Sequence, residues 1–487
     1  MTVHLDTRHD INLAAYRRIA WQGEAVALTG ACLDRMAQSR VAFERLIAED
    51  PDITIYGVTT GYGAMAKRKL DKAEQRAFAR RGMVLGATHF GDPMPVRVAR
   101  GAVLARLANF IDGYAAVRPD LAQAVAAQLN GGIELPALLR AGQGVSGEVQ
   151  SLYALFSPIE NHLTLEPKED GALVNGCPVS AAMTADAVLS APERLSLAYE
   201  VFALASEAFA VPPEHFDPAL ADIWGGDADR AVLEQLSRLI TGGDANRRPY
   251  QGAVSLRVLP RLLAQAERCV RQAEDACSIL SEVTDNPVFL MPDAAYPLGR
   301  CVSNGGFHNA RAAPALDDLA ATWADLALEG TRMVGKLLDG TQHGLPAQLR
   351  PDDAGALTVT GYLAYIGSVA TGYWVEARNA ATRTLLEGIA TEGSQQNDII
   401  TPVFSAWTKE QHAGQSFERV LAVLAIVAAE AMAVTGRRLP PALEPLMETI
   451  RAHSPPVDYS KPPRAMGVEC EALAEAFRAR IFDGCEG

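Results

Sequence analysis

The chain has 487 residues, 44 basic against 58 acidic side chains, a formal charge of −14 and 49% hydrophobic residues. That length buries a large core, as a few domains or as one large helical body. The acidic balance excludes nucleic acid or an anionic membrane as the main partner, since both need a basic face. Seven scattered cysteines without a Cys-x-x-Cys pair point to reduced thiols in a cytoplasmic protein, not to a disulfide framework or a zinc ribbon.

From the N-terminus, residues 1–10 carry no apolar stretch, so no signal peptide is expected. A Gly- and Thr-rich loop follows at 53–65 (ITIYGVTTGYGAM). Apolar residues then recur at three- and four-residue spacing over 97–107, 121–129, 233–239, 258–280 and 316–338, which predicts helices. These segments are rich in Ala, Leu, Glu and Arg, all good helix formers. Two further loops, 140–150 (RAGQGVSGEVQ) and 242–254 (GGDANRRPYQGAV), interrupt the helical pattern. The most apolar stretch is 420–434; its unbroken part, 420–429, ends at Glu430 and falls short of the roughly 20 residues that span a bilayer. It reads as a helix buried on all sides, inside a bundle or between subunits. A Pro-rich segment, 454–464, precedes a last helix at 469–482. Period-2 patterns are few, so the fold class is mainly α, built of long bundled helices. Gly-rich loops in such a chain mark places where backbone must approach something closely.

Gly142-Gln143-Gly144-Val145-Ser146-Gly147 is the loop with the most chemical content. As a phosphate loop it lacks the following Lys-Ser or Lys-Thr and a preceding strand. As a nucleophile elbow it fails, because Gly147 follows Ser146 directly. Two readings remain. Ser146 caps a helix beginning near Glu148, or the Gly147 amide nitrogen closes onto the carbonyl of residue 145 and Ser146 dehydrates, giving an electrophilic methylidene imidazolone.

Tyr56-Gly57-Val58-Thr59-Thr60-Gly61-Tyr62-Gly63 resembles the YGVTTGFG signature of the aromatic amino acid lyase family, which holds the histidine and phenylalanine ammonia-lyases. Further segments are similar in the family's order. These are Leu173-Val174-Asn175-Gly176, Ser255-Leu256-Arg257, Val283 to Pro287 (VTDNP), Ser303 to His308 (SNGGFH), Gln342-His343-Gly344 and Ser394 to Asp398 (SQQND). The resemblance implies a mainly α-helical homotetramer of the ammonia-lyase and fumarase–aspartase type. A long central helix bundle would carry active sites built from loops of three subunits. The expected division is an N-terminal region with the active-site loops and lid (1–200), the central bundle (201–450), and a C-terminal Pro-rich segment and helix (451–487).

The resemblance also implies roles. Tyr56 takes the β-proton of the substrate, and Arg257 forks onto its carboxylate. Asn175 hydrogen-bonds near the electrophile, which Val145, Ser146 and Gly147 supply. Phe307, His343, Gln396 and Gly63 form the substrate pocket, and no metal is implied. Departures from the family are specific. Residues 145–148 read Val-Ser-Gly-Glu for Ala-Ser-Gly-Asp, and 149–152 read Val-Gln-Ser-Leu for Leu-Ala-Pro-Leu. Val254 stands for a Tyr and Cys177 for a Thr, while Gln396 is nearer the phenylalanine type. Residues 85–91 (LGATHFG) are about one residue shorter than the histidine-type pattern and leave His89 unplaced.

The expected activity is carbon–nitrogen lyase chemistry on a small amino acid, giving an α,β-unsaturated acid, or the related aminomutase shift. The alternative is elimination of a quaternary amine from a betaine without the electrophile, as ergothionase does. A catalytically silent ligand-binding homologue is the reading from another class, disfavoured because Tyr56 and Arg257 are both kept. Tyr62 reads as a second wall of the pocket or, since glycines flank it, rather as a lid tip; the pair Arg247-Arg248 reads as a solvated loop, and 67–69 (KRK) as a lid hinge more than a binding patch.

Overall fold

A computed structural model describes residues 2–140, 147–248, 251–340, 344–351, 361–386, 388–392 and 397–485. Among them helices dominate. Strands occur as three two-stranded pieces: Thr2–Leu5 parallel to Ala25–Leu28 (Thr2 opposite Ala25), Val288–Leu290 antiparallel to Arg300–Val302 (Val288 opposite Val302), and Gly388–Glu392 antiparallel to Asn397–Ile399.

The periodic segments are helices with small shifts at their ends: Val96–Ile111, Pro119–Leu129, Asp227–Ile240, Val254–Ala276, Ala312–Asp339 and Met466–Ile481. The stretch 258–280 is broken; its helix ends at Ala276 and a separate turn, Ile279–Glu282, follows. Residues 420–434 lie inside the long helix Val403–Thr435, and 420–432 are buried within a single chain. That helix packs on Pro178–Ala208, Ala312–Asp339 and Ile366–Ala380 to make the bundle. Helix Val96–Ile111 packs on the other side of Pro178–Ala208.

Helix Pro178–Ala208 escapes a periodicity reading because it is apolar nearly all round, which is what a central position requires. The stretch Glu169–Ala208 is apolar enough to cross a membrane, yet 94% of its most apolar window is buried inside the protein, as in a core helix. One ionic cluster sits where three helices cross. The Arg194 guanidinium donates to Glu418 (2.9 Å) and reaches Glu410 (3.5 Å), which also accepts from the Trp323 indole (2.9 Å). All four side chains are buried, so each depends on the others for its polar partners.

Arg247 and Arg248 are not solvated. Arg247 pairs with the buried Glu207 at 2.5 Å, and Arg248 donates to the Phe209 carbonyl at 2.8 Å. The seven cysteines are free thiols.

Candidate active site

The segment around Tyr56 is a loop that folds back on itself. Thr59 Oγ1 accepts from the Ile55 amide (2.7 Å) and donates to the Ile53 carbonyl (2.9 Å), closing the first turn. The Gly63 amide donates to the Tyr56 hydroxyl oxygen at 3.1 Å. The rings of Tyr56 and Tyr62 then lie 5.3 Å apart. Gly57 has φ +69°, and a Cβ there would fall 1.8 Å from the Tyr62 ring. So the signature's glycine answers both a backbone and a packing demand. Tyr62 is a wall of the site, not a lid tip. Its ring stacks near Phe78 (5.1 Å) and its hydroxyl donates to Asp170 (3.4 Å). Burial, and then the Asp170 carboxylate, raise its phenol well above the ordinary value.

The second wall comes from the start of helix Val149–Phe156 and the start of Pro178–Ala208. Glu148 ties the two together: its carboxylate accepts from the amides of Val179 and Ser180, both at 2.6 Å, and from the Ser180 hydroxyl. Full burial outweighs those three donors and pushes its carboxyl up to about 7. Glu148 is the residue at the N-terminal cap of this helix, and its side chain caps the neighbouring helix; Ser146, read from the sequence as capping from Glu148 onward, lies outside the described residues. Asn175 ends the short helix Glu169–Val174. Its carbonyl and that of Ala172 (2.7 Å) accept from the buried Arg106, whose other amino group faces the Thr284 carbonyl at 3.5 Å. Gly176 (φ +135°) lets Arg106 in, since a Cβ would meet its guanidinium at 2.6 Å. Asp285, in the VTDNP stretch, is held by Lys168 and by Asn109 (2.8 Å). Asn304 in turn holds the Asp285 carbonyl (3.2 Å) and the Gly306 amide (2.8 Å), which sets the loop carrying Phe307.

These walls enclose a cavity of about 550 Å³, within the usual range for a small-molecule site. Tyr56, Gly63, Gly147, Asn175 and Phe307 all line it. Arg257 does not. It sits exposed in the first turn of helix Val254–Ala276, its Nε donating to the Gly252 carbonyl at 3.1 Å. Val145, Ser146, His343 and Gln396 lie outside the described residues; Asn397, next to Gln396, lines the cavity. The described lining residues include no Lys, Arg, His, Asp or Glu.

Gly86 and Thr88, in the segment 85–91 that sequence reasoning could not place, and Gln150 and Tyr153, to which it gave no role, also line the cavity. A signal existed for two of them. Gln150 and Tyr153 are three apart on the helix that begins after Gly147, so they share a face with one another. Tyr153 lies flat against Gly86, where a Cβ would fall 2.0 Å from the ring. Behind it, Arg81 donates to the Tyr153 hydroxyl oxygen and pairs with Asp170 at 3.1 Å. Burial pushes the Asp170 carboxyl up to about 6 despite Arg81. His89 is outside the cavity lining; burial lowers its imidazole, and neither ring nitrogen has a partner among the described residues.

The profile of the aromatic amino acid lyase family matches residues 11–161 and 157–452. A histidine ammonia-lyase from Geobacillus thermodenitrificans (strain NG80-2) is 27% identical over 468 residues, 88% of each chain. Two solved structures share the fold across nearly the whole length. Tyrosine aminomutase from Streptomyces globisporus is 24% identical with a TM-score of 0.85, covering 99% of this chain and 98% of that one. Ergothionase from Treponema denticola, solved in complex with desmethyl-ergothioneine sulfonic acid, is 16% identical with a TM-score of 0.88, covering 99% and 100%. With a family profile spanning most of its length, the chain belongs to the aromatic amino acid lyase family and is an enzyme of the carbon–nitrogen lyase class.

Proposed function

We propose that the enzyme eliminates ammonia from a small α-amino acid to give an α,β-unsaturated acid, with Tyr56 as the base. The observation that carries this is the meeting of Tyr56, Gly147, Asn175 and Phe307 on one cavity, although they come from four separate loops. In the step, the Tyr56 side chain, as its phenolate, takes a proton from the substrate β-carbon and becomes the neutral phenol. The C–H electron pair becomes the Cα=Cβ bond, and the C–N pair leaves with the nitrogen. Tyr56 later returns its proton to solvent. A β-proton is weakly acidic, so a fixed base is needed. The Gly63 amide fixes it by holding the Tyr56 oxygen. Asn175, anchored through its carbonyl to Arg106, presents its amide to the departing nitrogen.

An amine is a poor leaving group, and a methylidene imidazolone made from Val145-Ser146-Gly147 would supply the electrophile that activates it. The part of that turn described here fits such a group. Gly147 lines the cavity, its φ is outside the left-handed region, and among the described residues a Cβ there would meet nothing closer than 3.7 Å. Neither packing against the described residues nor backbone strain explains a glycine at 147, whereas ring closure by its amide would. Glu148, locked onto the next helix, holds the turn's end in place.

The substrate carboxylate needs a cation, and the described cavity wall offers none. Arg257 is the anchor if another copy of the chain brings its first helical turn to the cavity mouth, as a homotetramer of interleaved subunits would. A cytoplasmic site of action accords with the free thiols.

The test is the intact mass of the purified protein together with amine release from a panel of amino acids and betaines. A chain two waters lighter than encoded, releasing ammonia and unsaturated acid in equal amounts, is the expected result. An unmodified mass with release only from quaternary betaines would transfer the reaction to a charged leaving group. Release from no panel member would overturn the lyase reading in favour of a silent homologue.

A further inference from the structure

Four polar side chains beside the cavity have no part in the elimination just described: Tyr62, Arg81, Tyr153 and Asp170. They form one connected set. The Arg81 guanidinium pairs with Asp170 (3.1 Å) and donates to the Tyr153 hydroxyl oxygen, while the Tyr62 hydroxyl donates to Asp170 (3.4 Å). Arg81 is further clamped over the Phe78 ring, 4.1 Å from its centroid. The charges of Arg81 and Asp170 cancel within the set, so it brings the cavity polarity without net charge.

The hydroxyl of Tyr153 is the consequential atom. An arginine only donates. The Arg81 bond therefore occupies a lone pair of the Tyr153 oxygen and leaves its hydrogen unused. Among the described residues no acceptor is bonded to that hydrogen, and Tyr153 lines the cavity. A donor hydroxyl polarised by a cation behind it is a strong hydrogen-bond donor. The ring cannot swing away, because it lies flat on Gly86, within 2.0 Å of where a Cβ would be. On the same helical face the Gln150 amide lines the cavity with its Oε1 buried and without a partner among the described residues. A site for a plain hydrocarbon side chain would leave both groups unsatisfied, at a cost for each.

We infer that Tyr153 is a specificity-determining residue, its hydroxyl donating to an uncharged acceptor atom on the substrate's side chain, with Gln150 beside it as the second polar contact. The favoured substrates are amino acids whose side chains carry a neutral acceptor, such as a phenol oxygen or an imidazole nitrogen, over an unsubstituted phenyl. This rests on the lyase reading for the identity of the site, and a binding measurement separates the two.

The experiment is calorimetric binding of L-tyrosine, L-histidine and L-phenylalanine to the wild-type protein and to Tyr153→Phe, with amine release followed in parallel. The variant keeps the ring against Gly86, and its melting curve checks that it folds. Wild type is expected to bind tyrosine or histidine at least tenfold more tightly than phenylalanine. Tyr153→Phe is expected to reduce that ratio by roughly ten- to a hundredfold, the usual effect of removing a polar group a substrate depends on. Equal wild-type affinities, or a preference untouched in Tyr153→Phe, would overturn the inference whatever the turnover. A preference lost in the variant, with no amine released by either protein, would keep the inference and remove the lyase reading.

Discussion

Gly147→Ala separates a glycine kept for shape from one kept for reaction. The added Cβ would lie 3.7 Å from Val149 Cγ2 and 3.9 Å from the Gly176 carbonyl oxygen, both ordinary contacts. The φ of Gly147 is not left-handed, so alanine adopts the same backbone without strain. By structure alone the variant is neutral, or stabilised by about 0.4–1 kcal/mol because the unfolded chain loses freedom. Ring closure makes a different demand. The methyl would sit beside the amide nitrogen that must press onto the carbonyl of residue 145, a valine whose branched side chain is itself stiff. The expected protein is folded, melts no lower than wild type, has the full encoded mass, and releases amine at least ~100-fold more slowly, the smaller end of what a lost activating group costs. Intact-mass spectrometry, a melting curve and an amine-release assay on one preparation decide it. A variant still two waters light and turning over at the parental rate would refute the assignment of Gly147 to the electrophile.

Tyr56→Phe keeps the ring beside Tyr62 and removes only the oxygen; turnover should fall about 10²- to 10⁴-fold with substrate affinity nearly unchanged, as measured by steady-state kinetics and calorimetry. Because Tyr56 and Arg257 do not share a cavity within one chain, co-expressing Tyr56→Phe with Arg257→Gln should restore part of the activity each lacks alone, whereas an anchor from the same chain would give none. The Glu148 carboxyl is raised from 4.5 to about 7 by burial, so its contribution to stability is complete below pH 4.5 and is lost as pH rises through 7. Melting curves of Glu148→Gln should lack that component of pH dependence between those limits. Arg194→Met leaves Glu410 buried without its cation and should cost about 3–5 kcal/mol in denaturant unfolding.

The helices that lie on the surface of the bundle were legible because one face of each is wet. Asp227–Ile240 and Ala312–Asp339 show the alternation that exposure imposes. Pro178–Ala208 was not legible by that route, since a helix buried all round has no stripe to betray its period. Site residues divide similarly. Tyr56, Asn175 and Phe307 stand in short segments whose glycines have local steric causes, such as Gly57 under Tyr62 and Gly176 under Arg106. Those causes act within a few residues or between two motifs, so the pattern survives in the sequence. The set around Tyr153 depends on Arg81 and Gly86 from one stretch meeting Tyr153 and Asp170 from two others, and no spacing rule links them.

The charge of the cavity wall then constrains how the site is completed. A zwitterionic ligand brings an acid group that must be paired when it leaves water. Tyr56, Asn175, Phe307 and the other described wall residues are neutral, and the nearby guanidinium of Arg81 is already engaged by Asp170 and Tyr153. Redirecting Arg81 to the ligand would strand the buried Asp170 carboxylate, exchanging one unpaired charge for another. Arg257 has no such commitment: among the described residues its side chain makes one hydrogen bond, to the Gly252 carbonyl, and it is exposed. An exposed, singly bonded arginine is free to fork onto a carboxylate presented by a neighbouring copy. With Arg257 as the anchor, assembly would be a precondition of binding. Dilution that separates the copies should therefore abolish substrate affinity while leaving each chain folded, and a monomer that binds as tightly as the assembled protein would place the carboxylate anchor elsewhere.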